Sequence, residues 1–121
     1  MPQAKAVVLV VEDDEIIRMG ALDLIRWAGF EAIEAANADD AIKILEARLD
    51  IHLVFTDVEM PGTMDGIKLS HYIRERWPPI KLIVASGRTI VEQSSLPEGA
   101  RFFGKPYDEN DLVQSIIQMV A

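Results

Sequence analysis

Short runs of β-branched and aliphatic residues alternate along this chain with longer stretches in which apolar residues recur every three or four positions. The first kind reads as strand, buried on both faces where no polar residue interrupts it, and the second as amphipathic helix. Five strand-then-helix pairs follow one another from end to end, which is the pattern of βα units laid around a parallel sheet.

The first strand is predicted over Val7–Val11, followed by a helix that carries Ile17, Ala21, Leu24, Ile25 and Ala28 on its inner face and ends at Gly29. Phe30–Ala35 reads as the second strand, and Asn37 caps a second helix with a stripe of Ala38, Ala41, Ile42, Leu45 and Leu49. Ile51–Thr56 is the third strand. A turn through Pro61 and Gly62 then leads to a helix over Gly66–Trp77, which buries Leu69, Ile73 and Trp77 and stops at Pro78-Pro79. Strand four, Ile80–Ala85, is apolar apart from Lys81. Beyond it Ser94-Ser95, Pro97 and Gly99 leave room only for a short helix over Thr89–Gln93. A fifth strand, Arg101–Gly104, precedes a last helix capped by Asp108, with Leu112, Val113, Ile116 and Val120 inward. Trp27 and Trp77 are expected to be packing residues, and His52 and His71 structural or solvent-facing.

A length of 121 residues, 50% of them hydrophobic and 26% charged, suits one globular domain spanning residues 1–121. The absence of cysteine excludes disulfides, thiolate metal sites and cysteine nucleophiles. Near the start the apolar run Ala6–Val11 is cut short by Glu12-Asp13-Asp14-Glu15, which fits neither a signal peptide nor a membrane span, so the expected location is the cytoplasm. A net charge of −8 argues against direct binding of nucleic acid or of an anionic membrane. That charge is uneven: residues 1–65 hold 14 acids and 5 bases, whereas residues 66–121 hold 6 acids and 7 bases. The acidic half is either a solvated surface or the home of a cation site.

Certain polar residues fall at the carboxyl ends of the predicted strands: Glu12 and Asp13 after the first, Asp57 after the third, Ser86 after the fourth, Lys105 after the fifth. Doubly wound α/β sheets bind ligands at that edge, and the flavodoxin-like order 2-1-3-4-5 for five parallel strands sets strands one, three, four and five side by side. Three crowded carboxylates repel one another until a hard divalent cation with oxygen ligands sits between them, and magnesium is the expected ion. Magnesium commonly bridges carboxylates to phosphate oxygens, so an added lysine and hydroxyl suggest phosphoryl chemistry. Asp57 is then the nucleophile, already ionised at neutral pH, with Lys105 offsetting charge on the phosphoryl oxygens and Ser86 donating a hydrogen bond to one of them.

The segments VVLVVEDDE, LVFTDVEMPGTMDG, LIVASGR and FFGKPY resemble, in this order and spacing, the four signature segments of response-regulator receiver domains of two-component signalling. The resemblance covers essentially the whole chain. It implies that Glu12 and Asp13 are the acid pair, with Asp13 a direct metal ligand, that Asp57 is the phosphoacceptor, and that Glu59 lends its backbone carbonyl to Mg2+, for which Mn2+ substitutes. It places Ser86 at the family's hydroxyl position, Lys105 at its lysine, Phe102 at its aromatic switch position, and a cis peptide bond before Pro106. It further implies a phosphohistidine donor on a histidine kinase or histidine phosphotransfer protein, a downstream protein target, and a dimer linked to phosphorylation. Met1 favours a stand-alone regulator, with a receiver cut from a hybrid histidine kinase as the alternative. Thr63 adds a residue to the loop between Pro61 and Asp65, and the segment between Ser86 and Lys105 is short and helix-poor for the family.

Taken singly, each signal has a plainer explanation: an acidic helix start for Glu12–Glu15, a turn for Ser86, a surface lysine for Lys105, a core aromatic for Phe102. Their convergence on one sheet edge favours the site. Glu59 and Arg88, each two residues beyond a site residue, are expected to approach across the cleft and restrict water there. A haloacid-dehalogenase-like phosphatase is the rival from another class, but it needs a second aspartate where Glu59 stands, and a cap domain. A flavin or nucleotide carrier needs a Gly-rich turn where the acids stand.

Overall fold

The computed structural model describes residues 5–88 and 90–121. Five parallel strands, β1 Val7–Val11, β2 Glu31–Ala35, β3 Leu53–Asp57, β4 Lys81–Ser86 and β5 Arg101–Gly104, lie in the order β2-β1-β3-β4-β5. Among the described residues four helices accompany them: α1 Glu15–Trp27, α2 Ala38–Ala47, α3 Gly66–Arg76 and α4 Glu109–Val120. The predicted strand order and parallel sheet are those observed.

The central strands are apolar on both faces because both faces are covered, and side chains alternate between two cores. On one side Val7, Leu9 and Val11 of β1 meet Ala41 and Leu45 of α2 and Leu69 and Ile73 of α3. On the other, Val8 and Val10 meet Leu22 and Ile25 of α1 and Leu112 and Ile116 of α4. Each helix begins on a side chain that accepts backbone N–H groups of its first turn: Asp14, Asn37, Asp65 and Asp108 in turn. Past the end of α1, Gly29 takes a φ of 101°, the left-handed conformation that glycine adopts without a Cβ penalty.

Strand ends are staggered. Pairing of β1 with β3 stops at Val11 and Thr56, that of β3 with β4 at Asp57 and Ala85, and that of β4 with β5 at Ser86 and Gly104. Asp57 and Ser86, expected just beyond their strands, are therefore the last residues within them.

The fourth helix differs from expectation. Thr89 lies outside the described residues, Ile90–Glu92 are not helical, and a 3-10 turn over Gln93–Ser95 takes the helix's place. Ile90 is fully exposed, so the segment has no apolar stripe with which to hold a helix on the sheet. Leu96 is buried instead, the His71 imidazole bonds the Ser95 carbonyl at 2.7 Å, and the Gln93 amide donates to the Ala100 carbonyl at 2.7 Å.

Individual packing expectations also fail where chain direction overrides spacing. Arg48 leaves α2 extended, so Leu49 escapes the predicted stripe and is 96% exposed. Trp27, two residues past buried Ile25 and thus on the opposite side of the helix, is 85% exposed rather than packed. Ile17 is half-exposed beside the strand ends, while Leu22 takes the buried place on α1. Trp77 is half-buried. His52 accepts a hydrogen bond from the Val7 N–H at 3.0 Å and is structural.

Candidate functional site

The loop after β1 splits its acidic run between two tasks. Asp14 caps α1 by accepting from the N–H groups of Ile16 and Ile17, and Glu15 occupies the first turn, where negative charge favours the helix dipole. Glu12, buried, turns inward instead. Arg18 fixes this loop by donating to the Glu12 carbonyl at 2.8 Å while pairing with Glu34 at 3.0 Å.

At the sheet's carboxyl edge Glu12, Asp13 and Asp57 present carboxylate oxygens that all lie within 4.8 Å of one another. Glu12 and Asp57 are buried and Asp13 is exposed, so the cluster has a protected floor and an open rim. Lys105 reaches in from the end of β5, its Nζ 2.8 Å from Asp57 Oδ1 and 3.1 Å from Glu12 Oε1. The Lys105–Pro106 peptide bond is cis.

Burial raises the pKa of Asp57 by withholding solvent from its charge, and Lys105 offsets this only in part. Burial raises that of Glu12 as well, against the Asp14 N–H and Lys105, which act the other way. Burial pulls Lys105 down, but its close contacts with the Asp57 and Glu12 carboxylates outweigh it and leave the ammonium more firmly protonated than usual. The contact of Lys105 with Asp57 Oδ1 is an ion pair outside hydrogen-bonding angles. That buried oxygen has no hydrogen-bond donor among the described residues. Three hard oxygen donors gathered in this way, two of them from buried residues, fit a divalent cation.

Across the cleft, Ser86 is buried and donates its hydroxyl to Glu59 Oε2 at 2.6 Å. Glu59 Oε1 accepts from the backbone N–H groups of Gly87 and Arg88, each at 3.2 Å. Glu59 does cross to the Ser86 side, but what it meets at Arg88 is the backbone amide. The cleft between these groups, about 290 Å³, is walled also by Asp14 and Ile17. Phe102 is half-buried on the α2 and α3 side of the sheet, opposite Val84 in the β4 to β5 register.

Two further positions shape the site. The Thr56 hydroxyl donates to the Asp57 carbonyl at 3.0 Å. Gly66, whose N–H donates to the Val58 carbonyl at 2.9 Å, begins α3 where a Cβ would overlap the Asp57 carbonyl oxygen. Only the Met64-Asp65-Gly66 sequence hints at this close approach, since nothing in periodicity marks it. The added Thr63 is accommodated by a φ of 108° at Gly62 and a 2.8 Å hydrogen bond to Asp39.

A parallel sheet in this order, with acids, a lysine and a hydroxyl gathered at its carboxyl edge, defines a receiver-type α/β signalling domain. The chain belongs to the response regulator receiver domain family, whose model matches residues 8–117. It is 34% identical over 121 residues to the sensor kinase CckA of Brucella abortus, covering 95% of this chain and 12% of that protein. It is 35% identical over 114 residues to the response regulator protein FleR of Pseudomonas aeruginosa, covering 92% of this chain and 24% of that one. Among solved structures, a response regulator receiver protein from Pseudomonas putida superposes with a TM-score of 0.85 at 29% identity, covering 97% of this chain and 99% of that one. The chain thus spans an eighth to a quarter of these two curated relatives, and its function is that of a receiver domain in two-component signalling. The phosphatase reading is not favoured. Among the described residues no helix is long and apolar enough to cross a membrane.

Proposed function

We propose that this receiver accepts a phosphoryl group on Asp57 from a phosphohistidine of a histidine kinase or histidine phosphotransfer protein. The observation that carries the proposal is the buried Asp57 carboxylate at the end of β3, held 2.8 Å from Lys105 within a three-carboxylate cluster. A carboxylate oxygen of Asp57 attacks phosphorus, the P–N bond breaks, and the histidine nitrogen leaves with the bonding pair. No base is required, since Asp57 needs only to be ionised. Lys105 stays protonated and meets charge on the phosphoryl oxygens.

Glu12, Asp13, Asp57 and the backbone carbonyl of Glu59 would hold Mg2+, or Mn2+ in its place. When bound, the ion neutralises phosphoryl oxygens and draws the like-charged acids together. Ser86 then donates to a phosphoryl oxygen, and Phe102 on β5 carries the change toward the surface. The output is a change in contacts with a protein target in the cytoplasm or with a second copy of the chain, by population shift.

The test is intact mass after incubation with magnesium and acetyl phosphate, or with a phosphorylated histidine donor. One phosphoryl group is gained by the wild type, and none by Asp57→Asn or in the presence of a chelator. Equal gain by Asp57→Asn, or no gain by folded, magnesium-bound wild type from either donor, overturns the reading.

A further inference from the structure

The Glu59 carboxylate occupies a set of donors built for an anion. One hydroxyl and two consecutive backbone N–H groups, from Ser86, Gly87 and Arg88, converge on its two oxygens at 2.6, 3.2 and 3.2 Å. Hydroxyls and successive amides that converge in this way make a concave site for negative oxygen. Asp57 pairs with Ala85, the residue before Ser86, so a group bonded to Asp57 sits beside the same donors.

A phosphoryl group carries up to two negative charges and three accepting oxygens. Ser86 has one hydroxyl proton, which it donates to one acceptor at a time. Its short bond to an ionised carboxylate is of the stronger, charge-assisted kind. A phosphoryl oxygen and Glu59 are therefore alternatives at Ser86, and two anions placed at the same donors also repel each other.

We propose that Glu59 is an internal stand-in for the phosphoryl group: in the unphosphorylated protein it occupies Ser86 and the Gly87–Arg88 amides, and phosphorylation expels it. The proposal rests on Asp57 being the phosphoacceptor, and it adds a positioning residue that acts through Ser86. The switch is then an exchange of acceptors. Ser86, already drawn to one side by Glu59, is handed to the phosphoryl oxygen, and the released loop is free to rearrange.

The test uses beryllofluoride with magnesium as a phosphoryl mimic, titrated at high ionic strength into wild type, Glu59→Gln and Glu59→Ala. A glutamine keeps an oxygen that accepts from Ser86 but loses the charge, whereas alanine loses both. Affinity is expected to rise on the order of tenfold in Glu59→Ala and by less in Glu59→Gln. In the Ser86→Ala background the gain from Glu59→Ala should shrink. In unliganded protein the amide resonances of Gly87 and Arg88 should move in Glu59→Ala. Equal gains for glutamine and alanine would mean that only charge repulsion acts, and would overturn the proposal. So would no gain, an undiminished gain without Ser86, or stationary amides. Failure of wild type and every variant to bind the mimic, together with no phosphoryl gain by mass, sinks the Asp57 reading and the proposal with it. The amide resonances judge the Glu59 contact separately, without any ligand.

Discussion

Asp57 and Glu12 bind protons more readily in the folded protein than free carboxyls do, because burial strips solvent from their charges and Lys105 offsets only part of the loss. For a carboxyl whose folded pKa is raised, the folded state takes up protons between the ordinary carboxylate pKa and the raised one, so its charged form weighs against folding above that window. Asp57→Asn is accordingly expected to raise the melting temperature of the metal-free protein at neutral pH. The gain should shrink as pH falls through the raised Asp57 pKa, and melts of both proteins across acid to neutral pH check it. Charged residues of this kind are legible in the sequence, since acids and a lysine at the ends of apolar strands are conspicuous. The role of the Glu59 side chain is only half legible there. Its partners include a hydroxyl and two amides 27 to 29 residues away, and no spacing rule joins them.

Elements are legible in proportion to their burial. The three central strands and the four helices follow from apolar runs and helical spacing, with Asn37 and Asp108 legible as caps, whereas the segment after β4 has no such stripe and settles into a 3-10 turn. That segment is pinned by Leu96, which is buried against the α2 and α3 side of the sheet. Leu96→Ala should cost roughly 2–4 kcal/mol in urea unfolding, by loss of burial plus the cavity left behind. Hydrogen exchange should accelerate around the 3-10 turn first. The start of α3 tests the opposite fault, overpacking. A Cβ at Gly66 would overlap the Asp57 carbonyl oxygen and stand 2.9 Å from Val58 Cα, both of them backbone atoms that cannot swing aside. Gly66→Ala should therefore lose about 1–3 kcal/mol of stability. It should also slow phosphoryl uptake in the acetyl phosphate assay, because the displaced backbone is that of Asp57. Leu49 and Trp27 depart from the predicted packing because helical spacing does not say where a helix stops or how far its inner face extends.

At the scale of the whole molecule, a net charge of −8 with three acids in one cluster gives a divalent cation a place to bind, and binding to the folded state alone would stabilise it. Magnesium at about a hundredfold excess over its dissociation constant should add roughly 2.7 kcal/mol to folding stability. Thermal melts should show the gain reversed by a chelator and diminished in Asp13→Asn, while added monovalent salt at matched ionic strength does not reproduce it. The staggered ladder has a separate consequence. Val11 pairs with Thr56 and the β1 side ends there, so Asp57 has a backbone partner in β4 alone, and Ser86 one step on has its partner in β5. The sheet is thus lopsided around Asp57. A displacement at Asp57 is expected to be felt first along β4 and the β5 margin that carries Phe102 and least at β2, so backbone amide shifts on phosphorylation should be larger in β4 and β5 than in β2.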